Sequence, residues 1–530
     1  MLMKKLLALI CVLVMTLSLV LAACGGGESE PASQGGTNTS KTENSVPADP
    51  DNSRPEQDVS QTGESQPDTS AETSEPDSDP YRNEDGDYVN KNQLEFQDEW
   101  KERKEFRVLV YSNKVQTTYF SEEIESLYET TDDKIREAVD TRNKEIEDKY
   151  GITIKAVTVD DVAAQMRIAV ADTCDFDAAM PFMYNAAVFA QDGDLFDLCE
   201  FDGYLDIYAP WWDQNANESL SIAGKIYFTT VDISIMQKIV SGGVAFNKKL
   251  MENYYPDVDM YKLVDDGLWT YDRFYQMAKD VTAPITDDGM MDENDFWGCI
   301  GAGAQLYYGS GETLCGKDAD DIPIITIGVN NERSVNVMQK LLGYVSEQGT
   351  WTISPTNFTD RTDIWGRSVK MFGEDQALFY CFAFSALKKF RPYDVVYGIV
   401  PVPKYNEDQE YYYARCSNVA YGVCIPLNVE DPEFSAYMLD LMAIGGKNHL
   451  TKAYYEAVLK GKDANTLDDE RMLDLIFSHI HYDIAHVYRF TELENLFSLS
   501  SPDEFSSSLQ SALPVVQGKI DEIVSRYENQ

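Results

Sequence analysis

The sequence predicts an α/β protein. Three short apolar runs, residues 106–111, 152–157 and 176–182, alternate with two segments of helical periodicity. Strand, helix, strand, helix, strand is the pattern of a parallel sheet with right-handed crossovers. A hydrophobic fraction of 43% in 530 residues is ample for a large core, and that length allows two or three domains.

Each element has a local reason. Residues 106–111 (FRVLVY) are nearly continuously apolar, as expected of a strand buried on both faces. From 132 to 150, Ile135, Val139, Ile146 and Tyr150 fall on one helical face, and Gly151 supplies the stop. Residues 152–157 form a second strand, 162–171 a second helix, and 176–182 a third strand. Ligands of such sheets bind at the carboxyl ends of the strands. Those ends are Ser112-Asn113-Lys114 and Met183-Tyr184-Asn185, and neither holds a phosphate-cradling glycine loop. Further on, 239–246 reads as a strand with a helix from Lys248, and Thr270 as the N-cap of another helix. Residues 397–403 read as a strand ending in a proline turn. Phe434, Tyr437, Met438, Leu441 and Met442 make one face of a helix expected to stop at Gly445.

The N-terminal region is of another kind. Lys4 and Lys5 precede an apolar run over 6–20 that ends in Leu21-Ala22-Ala23-Cys24. A positive flank, a short apolar core and small residues before a cut site read as a secretory signal peptide. The cysteine at the cut resembles the bacterial lipobox, which implies a diacylated Cys24 as the mature N-terminus, anchoring without spanning. Residues 25–80 contain no aromatic, Leu, Ile or Met. Such a stretch cannot bury enough surface to offset its ordering entropy, so it is expected to be a disordered tether, with structure beginning near Glu105. The net charge of −46 excludes the basic face that a nucleic-acid binder needs, and it disfavours a polyanionic ligand. Of the 9 cysteines, seven follow Cys24. They are scattered without a CxxC pair, so free thiols are expected; a Cys416–Cys424 bridge is the alternative.

Several motifs stand in a familiar order: Arg142-Asn143-Lys144-Glu145-Ile146-Glu147 before Tyr150-Gly151-Ile152; Gly193-Asp194-Leu195-Phe196 before Pro210-Trp211-Trp212; Gly224-Lys225-Ile226-Tyr227-Phe228 before Phe246-Asn247-Lys248; Leu268-Trp269-Thr270 before Asp295-Phe296-Trp297-Gly298; Tyr397-Gly398-Ile399-Val400-Pro401 before Asp408-Gln409; then Lys462-Asp463 and Met472-Leu473-Asp474. From the lipobox to about Tyr488 the chain resembles the bacterial extracellular solute-binding proteins of family 1, which include maltose-binding protein. That resemblance implies a two-lobed, periplasmic-binding-protein-like (type II) fold with a hinge. The boundaries it implies are a signal peptide over 1–24, a linker over 25–100, lobe one over 101–234, lobe two over 235–395, a return to lobe one over 396–445, and C-terminal helices over 446–530, mainly in lobe two. It implies a small, carbohydrate-like solute held between the lobes and delivered to ABC permease subunits at the extracellular face of the cytoplasmic membrane. The cleft positions it implies are Ser112, Asn113, Tyr184, Asn185, Asp232, Phe382, Phe384, Arg415 and Asn418. Trp211, Trp212, Trp269 and Trp297 are expected to be scaffold.

Other readings carry less. With 90 Asp and Glu, close carboxylate pairs arise by chance, so a glycosidase has little support. No GxSxG, HExxH or Walker loop is present, so neither catalysis nor a cofactor is expected. His479, His481 and His486 lack the companions of a metal site. The acidic loop 287–295 has Pro284 where a calcium loop needs its first acid, so no tight calcium site is expected. A peptide-binding or adhesive lipoprotein shares the anchor and tether but needs no hinge. If Cys24 carries the lipid, Cys24→Ala releases the protein into the medium or leaves it uncleaved. Unchanged processing and detergent partitioning of that variant rules the anchor out.

Overall fold

The computed structural model describes residues 79–127, 129, 131–285, 289–347, 350–459 and 467–530. The expected signal peptide, Cys24, most of the tether, Asp287-Asp288 and Lys462-Asp463 lie outside the described residues.

The folded region starts earlier than the composition suggested. Tyr81 meets Trp211 edge-on at 5.4 Å, and Tyr88 N–H donates to Asn448 Oδ1. Trp100 is 1% exposed and donates its indole N–H to Asp431 at 2.9 Å. These rings give residues 79–100 the apolar surface that the segment before them lacks.

Lobe one is built on β1 (Glu105–Tyr111). It is followed by α1 (Asp133–Tyr150), β2 (Thr153–Val159), α2 (Val162–Ala171), β3 (Ala178–Ala179) and α3 (Met183–Asp192). The strands form a parallel sheet with β1 in the centre, and β1 is in register with β2 from Glu105↔Thr153 to Tyr111↔Val159. Asp132 caps α1 by accepting from Lys134 N–H, and Gly151 ends it at φ 73°, a left-handed conformation that costs glycine little. The third strand is shorter than expected. Beyond Ala179 the chain turns into α3, so Met183-Tyr184-Asn185 is a helical first turn rather than a strand-end loop.

Lobe two holds β4 (Gly242–Asn247), β5 (Trp297–Ile300), β6 (Thr352–Ile353), α4 (Ile364–Gly373), β7 (Ala377–Ala383) and β8 (Tyr397–Val400). The sheet order is β8-β4-β7-β5-β6. β5 runs parallel to β6 and β7, and β4 is antiparallel to both its neighbours. Because β8 pairs with β4, the expected return to lobe one at 396 comes later. The chain first forms β9 (Ala414–Arg415). It then meets the lobe-one sheet through the bridges Phe182↔Tyr421 and Ala179↔Cys424.

The helix expected to stop at Gly445 does not stop. α5 (Pro432–Gly445) runs through a π-helical turn over Gly446–Leu450 into α6 (Thr451–Leu459). The tail then serves both lobes. On α6, Ala453 and Tyr454 pack with Ile135 and Val139 of lobe one. On α7 (Leu467–Ser478), Leu473 and Ile476 join the lobe-two core. β10 (Ile480–His481) pairs with β9. The last helix, α8 (Phe505–Glu528), contains Pro514 and touches lobe two through Leu509 against Gly328. It touches lobe one through an Arg526–Asp192 ion pair and, just past its end, a hydrogen bond from Gln530 to Ala190 O.

The four tryptophans expected to be scaffold are at most 1% exposed. Trp211 and Trp212 both donate to Asp440, at 2.7 and 3.0 Å. Trp269 donates to Pro401 O and Trp297 to Asp292 O. The seven cysteines are free. The Cys416 and Cys424 thiols point to different carbonyls, those of Gln237 and Ala179.

The π turn begins where the helix presses on the chain crossing. A Cβ on Gly446 would lie 1.9 Å from the Asp232 carbonyl oxygen, so only glycine lets this helix run against the chain crossing. Gly446→Ala therefore lowers unfolding free energy by about 2–3 kcal/mol, in the upper range for overpacking. A denaturant midpoint equal to that of the unmutated protein contradicts this.

Candidate ligand-binding cleft

A cleft of about 1000 Å³ opens between the lobes. β5, β6 and β7 run parallel, and their ends, Gly301 to Gln305, Ser354 to Asn357, and Ala383, Ser385 and Ala386, all line it. This is the carboxyl edge of the sheet, where backbone ends and helix starts leave room for a ligand. Thr118 and Tyr119, from the loop after β1, close the lobe-one side, and Phe497 to Ser500 of the tail close another.

Three side chains define its chemistry. Trp365, on the first turn of α4, lines the cleft and is 58% exposed. It is the one tryptophan among the described residues that offers an open ring face. Gln305 donates to the Phe382 carbonyl at 3.3 Å, while its Oε1 is buried without a hydrogen-bond partner. Gly242 backs this amide closely, since a Cβ there would approach Gln305 to 3.0 Å. Arg415, on β9, lines the cleft with its guanidinium 5.3 Å from the Tyr308 ring centre. An open aromatic face with a few placed polar groups is the general design of a small-molecule site.

A second cavity, of about 490 Å³, lies beside the crossings between the lobes. Ile135, Ile235, Met236, Leu387, Phe390 and Tyr454 give it apolar walls. Two ion pairs span the lobes at its rim, Glu122–Lys388 at 3.0 Å and Asp132–Arg391 at 3.4 Å.

The nine residues expected at the cleft separate into groups. Phe382 and Arg415 line the main cleft, and Asn113 and Phe384 line the second cavity. The other five line neither. Ser112 is buried and donates to Asp160 at 2.6 Å, closing the end of β1. Tyr184 lies under the Arg489 guanidinium, 4.9 Å from its ring centre. Asn185 donates to Tyr111 OH, and Asn418 donates to His486 O.

Asp232 is the clearest displacement. It is 8% exposed, pairs with Lys238 at 3.0 Å and Lys447 at 3.1 Å, and accepts from Thr451 at 3.0 Å. Its carboxylate is committed to holding the crossing. Trp365, Tyr119 and Gln305 were missed, because nothing local separates a tryptophan that lines a cleft from one that fills a core. Among the described residues no group of three or more His, Cys, Asp or Glu is arranged to hold a metal. His479 and His481 pack against Tyr411 and Tyr413 instead.

No family model matches the sequence, and no curated protein does. Solved structures do match. A cyclo/maltodextrin-binding protein complexed with maltotetraose aligns at 13% identity and a TM-score of 0.50, covering 81% of this chain and 97% of its own. An ABC substrate-binding protein from Listeria monocytogenes in complex with cycloalternan aligns at 14% identity and TM-score 0.49, covering 79% and 100%. A family 1 extracellular solute-binding protein from Bifidobacterium longum subsp. infantis aligns at 16% identity and TM-score 0.49, covering 78% of this chain and 99% of its own. The first of these, at a TM-score of 0.50, shows the two-lobed fold of solute-binding proteins.

Burial pushes the Asp232 carboxyl up, but Lys238 and Lys447 outweigh it and hold the group below the usual carboxylate range. A depressed folded value means stabilisation fully present above the unfolded value of about 4 and lost as pH falls through the lower folded value. Asp232→Ala leaves the buried Lys238 and the half-buried Lys447 at the crossing without their acid, and lowers unfolding free energy by about 2–3 kcal/mol at neutral pH. Ligand affinity stays nearly intact. A variant that melts normally but loses binding returns Asp232 to the ligand site.

Proposed function

We propose that this chain is the extracellular solute-binding subunit of an ABC importer. It captures a carbohydrate-like solute between its lobes, presents it to membrane permease subunits, and has no catalytic activity of its own. The observation that carries this reading is the cleft at the carboxyl edge of the lobe-two sheet, closed by lobe one and furnished with an open tryptophan and an unpaired amide oxygen.

A sugar presents flat C–H faces and a rim of hydroxyls. Trp365 meets the first need by stacking. Gln305 Oε1 meets part of the second by accepting an O–H, while Phe382 supplies an apolar floor. The similar maltodextrin-binding protein holds maltotetraose, which supports a saccharide of a few rings. The lobe arrangement in this reading is lobe one over 101–234 and from about 417 to 459, with lobe two between and the tail shared. Cys24 anchors the protein outside the cytoplasmic membrane, and the acidic segment after it is the tether.

A thermal-shift screen of the intact chain against mono- and oligosaccharides tests this directly. A ligand at about 100 times its Kd adds about 2.7 kcal/mol. Trp365→Ala weakens binding of the best saccharide about tenfold or more, as expected for an aromatic anchor, without shifting the melting temperature of the empty protein. Unchanged affinity in that variant removes Trp365 from the site. A screen in which no saccharide raises the melting temperature removes the carbohydrate reading.

A further inference from the structure

Roughly one residue in six of this chain is acidic, 90 of 530. Among the described residues that line the main cleft there is no Asp and no Glu, and the charged groups there are Lys389 and Arg415. The nearby acids are used elsewhere. Glu122 and Asp132 pair with Lys388 and Arg391 at the rim of the smaller cavity. Asp363, two residues before Trp365, accepts from Gly366 N–H to cap α4.

The two cleft cations are left without such partners. Lys388 and Arg391 both find acids across the lobe gap, whereas Lys389 between them, which borders both cavities, has no ion pair among the described residues. Arg415 is half-buried, its guanidinium faces the Tyr308 ring and its charge also acts on the His486 imidazole, and it forms no ion pair among the described residues. A partly desolvated guanidinium without a counter-ion is costly, and a chain with so much surplus acid could easily supply one. Keeping every carboxylate out of a cavity that holds two cations leaves that charge for a ligand.

We infer that the cleft takes a saccharide bearing an anionic group, and that the group is a carboxylate, as in a uronic acid. This rests on the carbohydrate reading above. Arg415 presents a planar fork that matches a carboxylate with two parallel N–H bonds. Lys389 adds a second positive charge, Trp365 takes the ring face, and Gln305 Oε1 accepts a hydroxyl. The whole-chain charge sets the size of the ligand rather than its sign. Screening over about 8 Å at physiological salt lets the two cations decide locally. A long polyanion, by contrast, would extend onto acidic surface.

The test is calorimetric titration of the intact chain with digalacturonate, its neutral methyl ester, a sulfated monosaccharide and a phosphorylated monosaccharide. The acid is expected to bind at least about tenfold tighter than its ester, the scale of one hydrogen-bonded charge. Arg415→Gln lowers affinity for the acid about 10- to 100-fold and for the ester far less. Lys389→Gln, at an exposed position that the fold does not need, also shrinks the ratio. Equal binding of acid and ester, or an unchanged ratio in both variants, overturns the inference and leaves the carbohydrate reading standing. Binding of the sulfated or phosphorylated sugar without the uronate overturns the carboxylate assignment. Binding of no saccharide, charged or neutral, overturns both readings.

Discussion

Glu123 and Asp232 lie buried where the chain first crosses between the lobes, and the geometry of the crossing follows from how they are satisfied. Glu123 is 1% exposed. It accepts from Ser234 Oγ at 3.0 Å, Ile235 N–H at 3.3 Å and Glu122 N–H at 2.9 Å, which fixes the chain just past the crossing. Arg142, also 1% exposed, donates to the Glu123 and Ile233 carbonyls and so ties α1 to both the loop after β1 and the crossing. Burial raises the Glu123 carboxyl and pulls the Arg142 guanidinium down to about 10. A buried charge without partners costs several kcal/mol, so these groups admit few alternative arrangements. Gly445 and Gly446 complete the constraint: any Cβ there would strike Arg142 or the Asp232 carbonyl.

Against that fixed crossing, the links at the rim are weak. The cations of the Glu122–Lys388 and Asp132–Arg391 pairs are 54% and 50% exposed while their acids are 9% and 6% exposed, so each link is open on the cation side, where water can replace the partner. They set how the lobes meet without locking them. A firm crossing with loose rim contacts is the mechanical layout of a hinge, in which a few residues absorb the motion while the lobes stay rigid.

What could be read from the sequence is what local chemistry decides. The cap at Asp132, the stop at Gly151 and the apolar run of β1 all act within a few residues, and each element lies where its signal put it. The cleft was far less legible, because its walls come from points between Thr118 and Ser500 that only the topology brings together. Asp232 read as a ligand-facing carboxylate, yet two of its partners, Lys447 and Thr451, lie over two hundred residues away. The early start of the fold has a visible signal in the sequence. Tyr81, Tyr88, Phe96 and Trp100 end the aromatic-free stretch well before β1.

The last helix adds a mechanical detail. α8 is fastened to lobe two near its start, through Leu509, and to lobe one at its end, through Arg526 and Gln530. A stiff rod bolted at both ends would brace the lobes apart and oppose any closing stroke. Pro514 lies between the two fastenings. An interior proline lacks the N–H of one helical hydrogen bond and crowds the preceding turn, which creates a point of bending. Pro514 thus places the weakest point of the helix between its two attachments, where a bend costs least.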